Sequence, residues 1–511
     1  MKLLYKLGVL TLAATMMTSC SKDYLDTVPT YAVSPSTAFE TTESAKLAIN
    51  GLSRLMKMQY LSSQGFNGEG TIKMYYGNYS GNHFSSPLTG WTLLTNMDYF
   101  ATNTSTYTYY PWYYYYKIIG DANAIVLNID AASGTQVEKD FIKAQALTFR
   151  AYAYTMLVQL YGDRWSDSNN GATDAVVIRV NPTFEDLPLS SLASAYELIY
   201  GDLNTAIDLY EKSALDRNNN YSVNIDVAYA TYARAALTKE DYVNAEKYAK
   251  LARTNYGLMS ATEYKAGFSN PNKEWIWSIY DALDETIYFY SYQSYIAYNS
   301  TASGVRSSPK SISKELYNTI PATDIRKKLF LDPVSTGLTF NANTGAGNAA
   351  ALAYIRSQYS DIPSNATAYA YMQFKIKANE MPGVGHTNNF RSSEMVLIEA
   401  EAKYKQNKPA SEVQALMNTL TRDSGRDPNY NCTATGASLF AEIKKYRGIE
   451  LWGEGFDFFD MKRWGDPIVR KSFANGGNFQ TPLAVTIQPT EKNKWKLVTP
   501  ARETDYNSLI N

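Results

Sequence analysis

Histidine and cysteine are nearly absent, with two of each in 511 residues. His83 and His386 cannot build a three-histidine metal site, and a Ser-His-Asp nucleophile would have to use one of two isolated imidazoles. Most hydrolase and metalloenzyme templates therefore lack their parts. Cys20 ends an apolar N-terminal run, so Cys432 would be the single thiol of a processed chain, and one thiol closes no intramolecular disulfide. A chain of this length buries about three quarters of the surface it exposes when unfolded, so no such staple is needed. An excess of charge is missing too: 48 Lys and Arg face 49 Asp and Glu, which excludes a polyanion-binding surface built on net charge. Hydrophobic residues at 45% against 19% charged exclude a disordered chain.

What is abundant is tyrosine, 43 residues against 19 Phe and 8 Trp. A side chain with an apolar face and a polar tip, in that excess, points to contact surfaces as well as core. Binding becomes the leading class of function, and no catalytic residue, metal or cofactor is expected.

Lys2 and Lys6 precede an apolar run from Leu7 to Met17, which ends in Thr18, Ser19 and Cys20. That run is too short for a mature membrane-spanning helix. It predicts a lipoprotein signal over residues 1–19 with Cys20 acylated; an ordinary cleaved signal with an incidental cysteine is the alternative. No later segment is apolar enough to cross a bilayer, so the acyl chains would be the anchor. Residues 20–40, with Pro29 and Pro35, read as a tether.

Helical periodicity begins near Thr42, where Ala45, Ile49, Leu52 and Met56 recur at three- and four-residue spacing. It returns over Phe141–Val158 and Tyr196–Tyr210. Two Ala-rich stripes, Val227–Leu237 and Tyr242–Ala252, are parted only by Thr238–Asp241 and predict a tight helical hairpin like a tetratricopeptide pair. Residues 41–263 thus form an N-terminal helical part. From 264 to 390 the period fades, Gly, Asn, Ser and Tyr rise, and Trp275–Tyr280 predicts a strand within a long irregular, aromatic-rich insertion. Helix resumes in a C-terminal part, 391–511. The expected class is mainly α, with tetratricopeptide-like pairs.

Two C-terminal segments carry most information. One is Ser393, Glu394, Leu397, Ala400, Glu401, Ala402; the other is Arg447, Glu450, Leu451, Glu454, Gly455, Phe459, Asp460, Arg463, Trp464. Arg447 lies three and seven residues before Glu450 and Glu454 on a helical face, which favours ion pairing over a pair of catalytic acids. These segments resemble the SusD/RagB family of nutrient-binding outer-membrane lipoproteins. Trp112, Tyr116, Ile119 and Asn123, then Phe149–Tyr152 with Leu157 and Gly162, and finally Pro500, Glu503 and Asn507, extend the resemblance over nearly the whole mature chain. Tyr446 and Asp457 depart from it, standing where the family often has Glu and Arg. The resemblance implies a non-catalytic lid on a SusC-like TonB-dependent transporter, capturing a glycan, or in some branches a peptide, or else capping the barrel with little affinity of its own. Lys22 and Asp23 resemble the family's surface-export signal.

A sugar site needs aromatic faces for C–H surfaces and planar polar groups for hydroxyls. Trp91 lies in the polar, aperiodic segment Gly77–Asn103, where Asn96 supplies an amide. Tyr288, Tyr290 and Tyr292 would share a face of an extended chain, whereas Tyr288, Tyr292 and Tyr295 would align on a helix. These residues are the candidate platform, with a core-facing stripe as the alternative. Trp112 and Tyr116 are assigned to the core.

Overall fold

The computed structural model describes residues 38–63, 65–183, 185–283 and 290–510. Cys20, Lys22, Asp23 and Tyr288 lie outside the described residues.

The chain is mostly helical, and side-chain caps set where its helices begin. Thr41 starts α1 (Thr42–Leu55) through a capping box with Ser44, and Ala45, Ile49 and Leu52 turn inward. Ser105 starts α2 (Thr106–Asn128), which carries Pro111 in its second turn. Proline donates no N–H, so the Tyr107 carbonyl loses its helical partner. The Tyr76 hydroxyl donates to that carbonyl at 2.5 Å. One rung further on, the Tyr161 hydroxyl accepts from Trp112 N at 3.0 Å and donates to Thr108 O at 2.6 Å, bridging the opened ladder. Two of the many tyrosines are thus used to repair a helix.

Tyr161 ends α3 (Gln136–Tyr161), begun by a Thr135–Glu138 capping box. α3 packs between α2 and α4 (Leu192–Ser213). The Ala-rich hairpin forms as expected: α5 (Ile225–Thr238) and α6 (Tyr242–Ala252) close up over Ala230, Ala233, Ala245 and Ala249, with Tyr232 stacked on Tyr248 at 3.9 Å. On α6 rests α7 (Ser392–Lys405), followed by α8 (Ala410–Asn418), α9 (Gly436–Glu450) and α10 (Asp457–Trp464).

The strand expected at Trp275–Tyr280 is β1 (Trp275–Ile279), antiparallel to β2 (Thr387–Arg391), with Ile279 opposite Thr387 and Trp275 opposite Arg391. The two ends of the long aperiodic stretch are therefore stitched together. Inside it, short helices at Tyr292–Ile296, Lys314–Thr319 and Ala349–Gln358 form where periodicity did not announce them. Each starts at a capping side chain, Ser291, Ser313 or Asn348, and a helix of fewer than three turns is too short to show a clear period. A small second core of Leu331, Ile355, Tyr369, Met372 and Phe374 gathers around the last of these helices, whereas the first two bury their side chains in the main core. No helix among the described residues is long and apolar enough to cross a membrane.

Candidate functional site

The C-terminal motif acidic residues sit at the centre of a dry ion network. Arg391, at the end of β2, reaches Glu274 at 2.5 Å, Glu450 at 2.7 Å and Glu454 at 2.7 Å. Arg426 joins Glu450 and Glu274 at 3.0 Å, Arg326 joins Glu450 at 2.8 Å and Asp324 at 2.6 Å, and Lys375 joins Glu454 at 2.5 Å. Four cations face four carboxylates, with no side chain more than 2% exposed. Burial alone would push Glu450 up, but the guanidinium groups of Arg426, Arg391 and Arg326 outweigh it and hold its carboxyl well below the usual range. A group held ionised and walled off cannot serve as a general acid. The ion-pair reading of the motif thus stands with different partners. Arg447 pairs with Asp460 at 2.6 Å, not with Glu450 at the end of its own helix or with Glu454 beyond that end. The chain between them turns back at Gly453 and Gly455, both at positive φ. A Cβ on Gly77 would lie 2.2 Å from Gly455 O, so backbone meets backbone there.

His83 stands between Ser313, 3.3 Å from Nδ1, and Asp457, 3.9 Å from Nε2. The trio has the residue types of a hydrolytic triad but not its setting. Ser313 is 1% exposed and caps the Lys314–Thr319 helix through Leu316 N, and the Asp457 carboxylate accepts from His83 N. No scissile bond could reach the hydroxyl. Among the described residues no group of three or more His, Cys, Asp or Glu is placed to hold a metal ion.

An aromatic patch forms where two distant segments meet. The loop carrying Trp91 and the π-helical turn Ile72–Asn78 converge on the segment Tyr290–Tyr295. Tyr75 is the hub: its ring lies 5.2 Å from Trp91, edge-on at 87°, and 5.8 Å from both Tyr295 and Tyr107. Trp91 also meets Tyr295 and Tyr79 at 5.8 Å, and Tyr290 meets Tyr295 at 6.1 Å. The hydroxyls of Tyr75 and Tyr295 share a hydrogen bond of 2.8 Å, and burial pushes both phenols up, so the patch carries no charge of its own. Trp91, Tyr290 and Tyr107 are half-buried and form its outer edge, while Tyr75, Tyr79 and Tyr295 form its floor.

A buried cation braces the loop that presents Trp91, and Lys494 adds a bond to Asn96 O at 3.1 Å. Buried Arg470 donates to the carbonyls of Gly81 at 2.8 Å, Thr95 at 3.0 Å and Tyr79 at 3.1 Å, and to Asn96 Oδ1 at 3.3 Å. Asn96 in turn donates to Pro482 O at 3.0 Å, so its amide is a strut of this loop, already engaged. Tyr292 requires a correction. The chain turns helical at Tyr292, which rotates that ring into the core at 6% exposure with its hydroxyl on Gly453 O at 2.5 Å. It is no platform residue, and the face shared by Tyr290 and Tyr295 belongs to neither the fully extended nor the fully helical reading. Tyr292→Ala should cost about 3–5 kcal/mol of stability, read as a lowered thermal midpoint, because it empties a filled site and leaves the Gly453 carbonyl with Asn78 Nδ2, at 2.8 Å, as its remaining side-chain donor. Tyr75 and Tyr79 were missed by sequence reasoning, although their i, i+4 spacing was visible.

Residues 240–508 match the family model described as the SusD family. The chain belongs to the SusD family. Residues 23–237 match a second model, described as starch-binding associating with outer membrane. Among solved structures the chain is similar to a SusD-like carbohydrate binding protein from Bacteroides vulgatus, with 22% identity, 92% of this chain and 98% of that one covered, and a TM-score of 0.75. It is similar also to a SusD superfamily protein from Bacteroides thetaiotaomicron, with 23% identity, 92% and 99% covered, and a TM-score of 0.73. A search of curated proteins gives no match. At these identities the likeness fixes the SusD fold, and the residues of the patch have to be argued from this chain itself.

Proposed function

We propose that this SusD-family chain is a cell-surface, non-catalytic lipoprotein, anchored through Cys20, that captures an oligo- or polysaccharide on the aromatic patch edged by Trp91, Tyr290 and Tyr107 over the Tyr75–Tyr295 floor, and passes it to a SusC-like TonB-dependent transporter in the outer membrane. The observation that carries the binding step is the half-buried Trp91, held edge-on against Tyr75 and Tyr295 by an Arg470-clamped loop in an otherwise polar surface segment. Preset ring planes lower the ordering cost of binding, and sugar C–H faces need such planes. Support for the ligand class comes from the starch-binding family model over residues 23–237. A shallow, uncharged patch also suits a carrier that must release what it holds, since few buried polar anchors keep dissociation fast. Support for a non-catalytic role comes from the buried, fully paired acids of the C-terminal motif.

The test is affinity electrophoresis of the mature chain in native gels containing soluble starch, xylan, mannan or pectin. Retardation by at least one polysaccharide, with no release of reducing ends, is the expected result. No retardation in any gel would overturn glycan capture and leave barrel capping or peptide binding.

A further inference from the structure

The tyrosines of α2 divide between two sides of the helix. Tyr107, Tyr110 and Tyr114 turn toward the patch and the core, whereas Tyr109, Tyr113 and Tyr116, at i, i+4 and i+7, recur on the opposite side. There they line a cleft of about 550 Å³, within the ~300–1,000 Å³ typical of small-ligand sites.

The walls of this cleft are fixed. The Tyr116 hydroxyl donates to Val177 O at 2.5 Å, and Trp112 Nε1 donates to Glu503 at 3.2 Å, which ties the C-terminal segment to α2. Within that frame, Tyr109 and Tyr113 stay half-buried with ring centroids 5.6 Å apart, and Arg502 lies 4.7 Å over the Tyr109 ring. Tyr506, across the cleft, is 84% exposed. The cleft is also open at Gly120, where an added Cβ would meet no atom within 4 Å.

From this geometry we infer a second saccharide-binding site, formed by Tyr109, Tyr113, Tyr506, Lys117 and Arg502, on the side of α2 away from Trp91; the inference rests on the glycan reading above. The rings offer stacking planes for pyranose faces, and the ammonium and guanidinium groups beside them donate to hydroxyls. Asn181, Asp186 and Glu503 line the cleft beside the rings, so stacking planes and hydrogen-bonding groups share one site, the combination a polyhydroxyl ligand needs. Two weak sites on one rigid body would hold one long chain by effective concentration, each site alone still releasing easily.

The experiment uses the mature chain in the same four polysaccharide gels. Gly120→Trp fills the cleft while removing no side chain, and Tyr113→Ala with Arg502→Ala empties it of two groups while leaving Gly120; Gly120→Ala is the control. Both cleft variants should lose retention by about fivefold or more, with Gly120→Ala and the thermal midpoints near the parent, since loss of one of two linked sites forfeits avidity. If the parent is retarded and both cleft variants are retarded equally, the second site is overturned and the cleft is left to a protein partner. If no gel retards the parent, the glycan reading itself falls and takes this site with it.

Discussion

Arg391→Leu should be among the most damaging single changes in the chain, costing about 3–5 kcal/mol and lowering the thermal midpoint by several degrees. Three carboxylates, Glu274, Glu450 and Glu454, converge on this one guanidinium in a site that water does not reach. Removing it leaves buried charges facing one another with Arg326, Arg426 and Lys375 as the remaining counter-charges. The loss is the desolvation of the orphaned acids more than the attraction itself, so the same volume filled by an apolar side chain does not restore it. Glu454→Gln should cost less, about 1–3 kcal/mol, because the amide oxygen still accepts from Arg391 Nη2 and Lys375 Nζ and the bond from Arg391 Nε is the one lost. Its glycan retention should equal the parent's. The pH dependence follows from the sign of the Glu450 shift. Its folded pKa lies below its unfolded one, so its contribution is present above the ordinary glutamate value of about 4.3 and is lost as pH falls through the depressed folded value. Thermal melts of the parent should therefore hold this contribution down to about pH 4 and lose it below, whereas in Arg391→Leu, with one guanidinium fewer holding the Glu450 carboxyl down, the acid-side fall should be shallower. An unchanged midpoint and acid limb in that variant would refute the role given to the network.

Why the helices were legible, and this network was not, comes down to sequence distance. The stripes of α1, α3 and α4 repeat within a few turns, and the Ala spacing of α5 and α6 states a close hairpin directly. The partners of Arg391 come from residues 274, 450 and 454, which no local rule connects. Arg447 shows the error that local rules invite: its i+3 and i+7 acids were at hand, yet the chain folds back at Gly453 and Gly455 and delivers Asp460. The patch was half legible for a similar reason. Trp91 betrayed itself as an indole in a polar segment, whereas Tyr75 sits in, and Tyr79 caps, a π-helical turn that breaks the 3.6 period. Asn96 looked like a free amide because its partners, Arg470 and Pro482, arrive from the far end of the chain. Tyr292 looked like a neighbour of Tyr290 because the start of a short helix, which rotates one inward and leaves the other at the edge, has no periodic signature.

Trp91→Ala combined with Tyr290→Ala should remove most retention by whichever polysaccharide retards the parent, leaving the fold in place. Each ring at the edge of the patch is worth about 1 kcal/mol in stacking, and the pair about 2 kcal/mol, or ~30-fold in affinity. Both are half-buried, so their loss uncovers Tyr75 and Tyr295 without opening a closed cavity. The stability cost should accordingly stay well below that of Tyr292→Ala, whose ring is enclosed and hydrogen-bonded. Tyr75→Phe provides the opposite case: it keeps the hub ring but breaks its hydroxyl bond to Tyr295, so the floor tyrosines lose their register while the edge is intact. A modest loss of retention, several-fold at most, is expected there, since one buried neutral hydrogen bond contributes about 1 kcal/mol. Measured side by side by affinity electrophoresis and thermal melting, the edge pair should lose binding and keep its midpoint, and Tyr292→Ala should lose its midpoint first. Normal retention in the edge pair would place capture elsewhere on the molecule, and a midpoint that falls as far as that of Tyr292→Ala would make Trp91 and Tyr290 core residues.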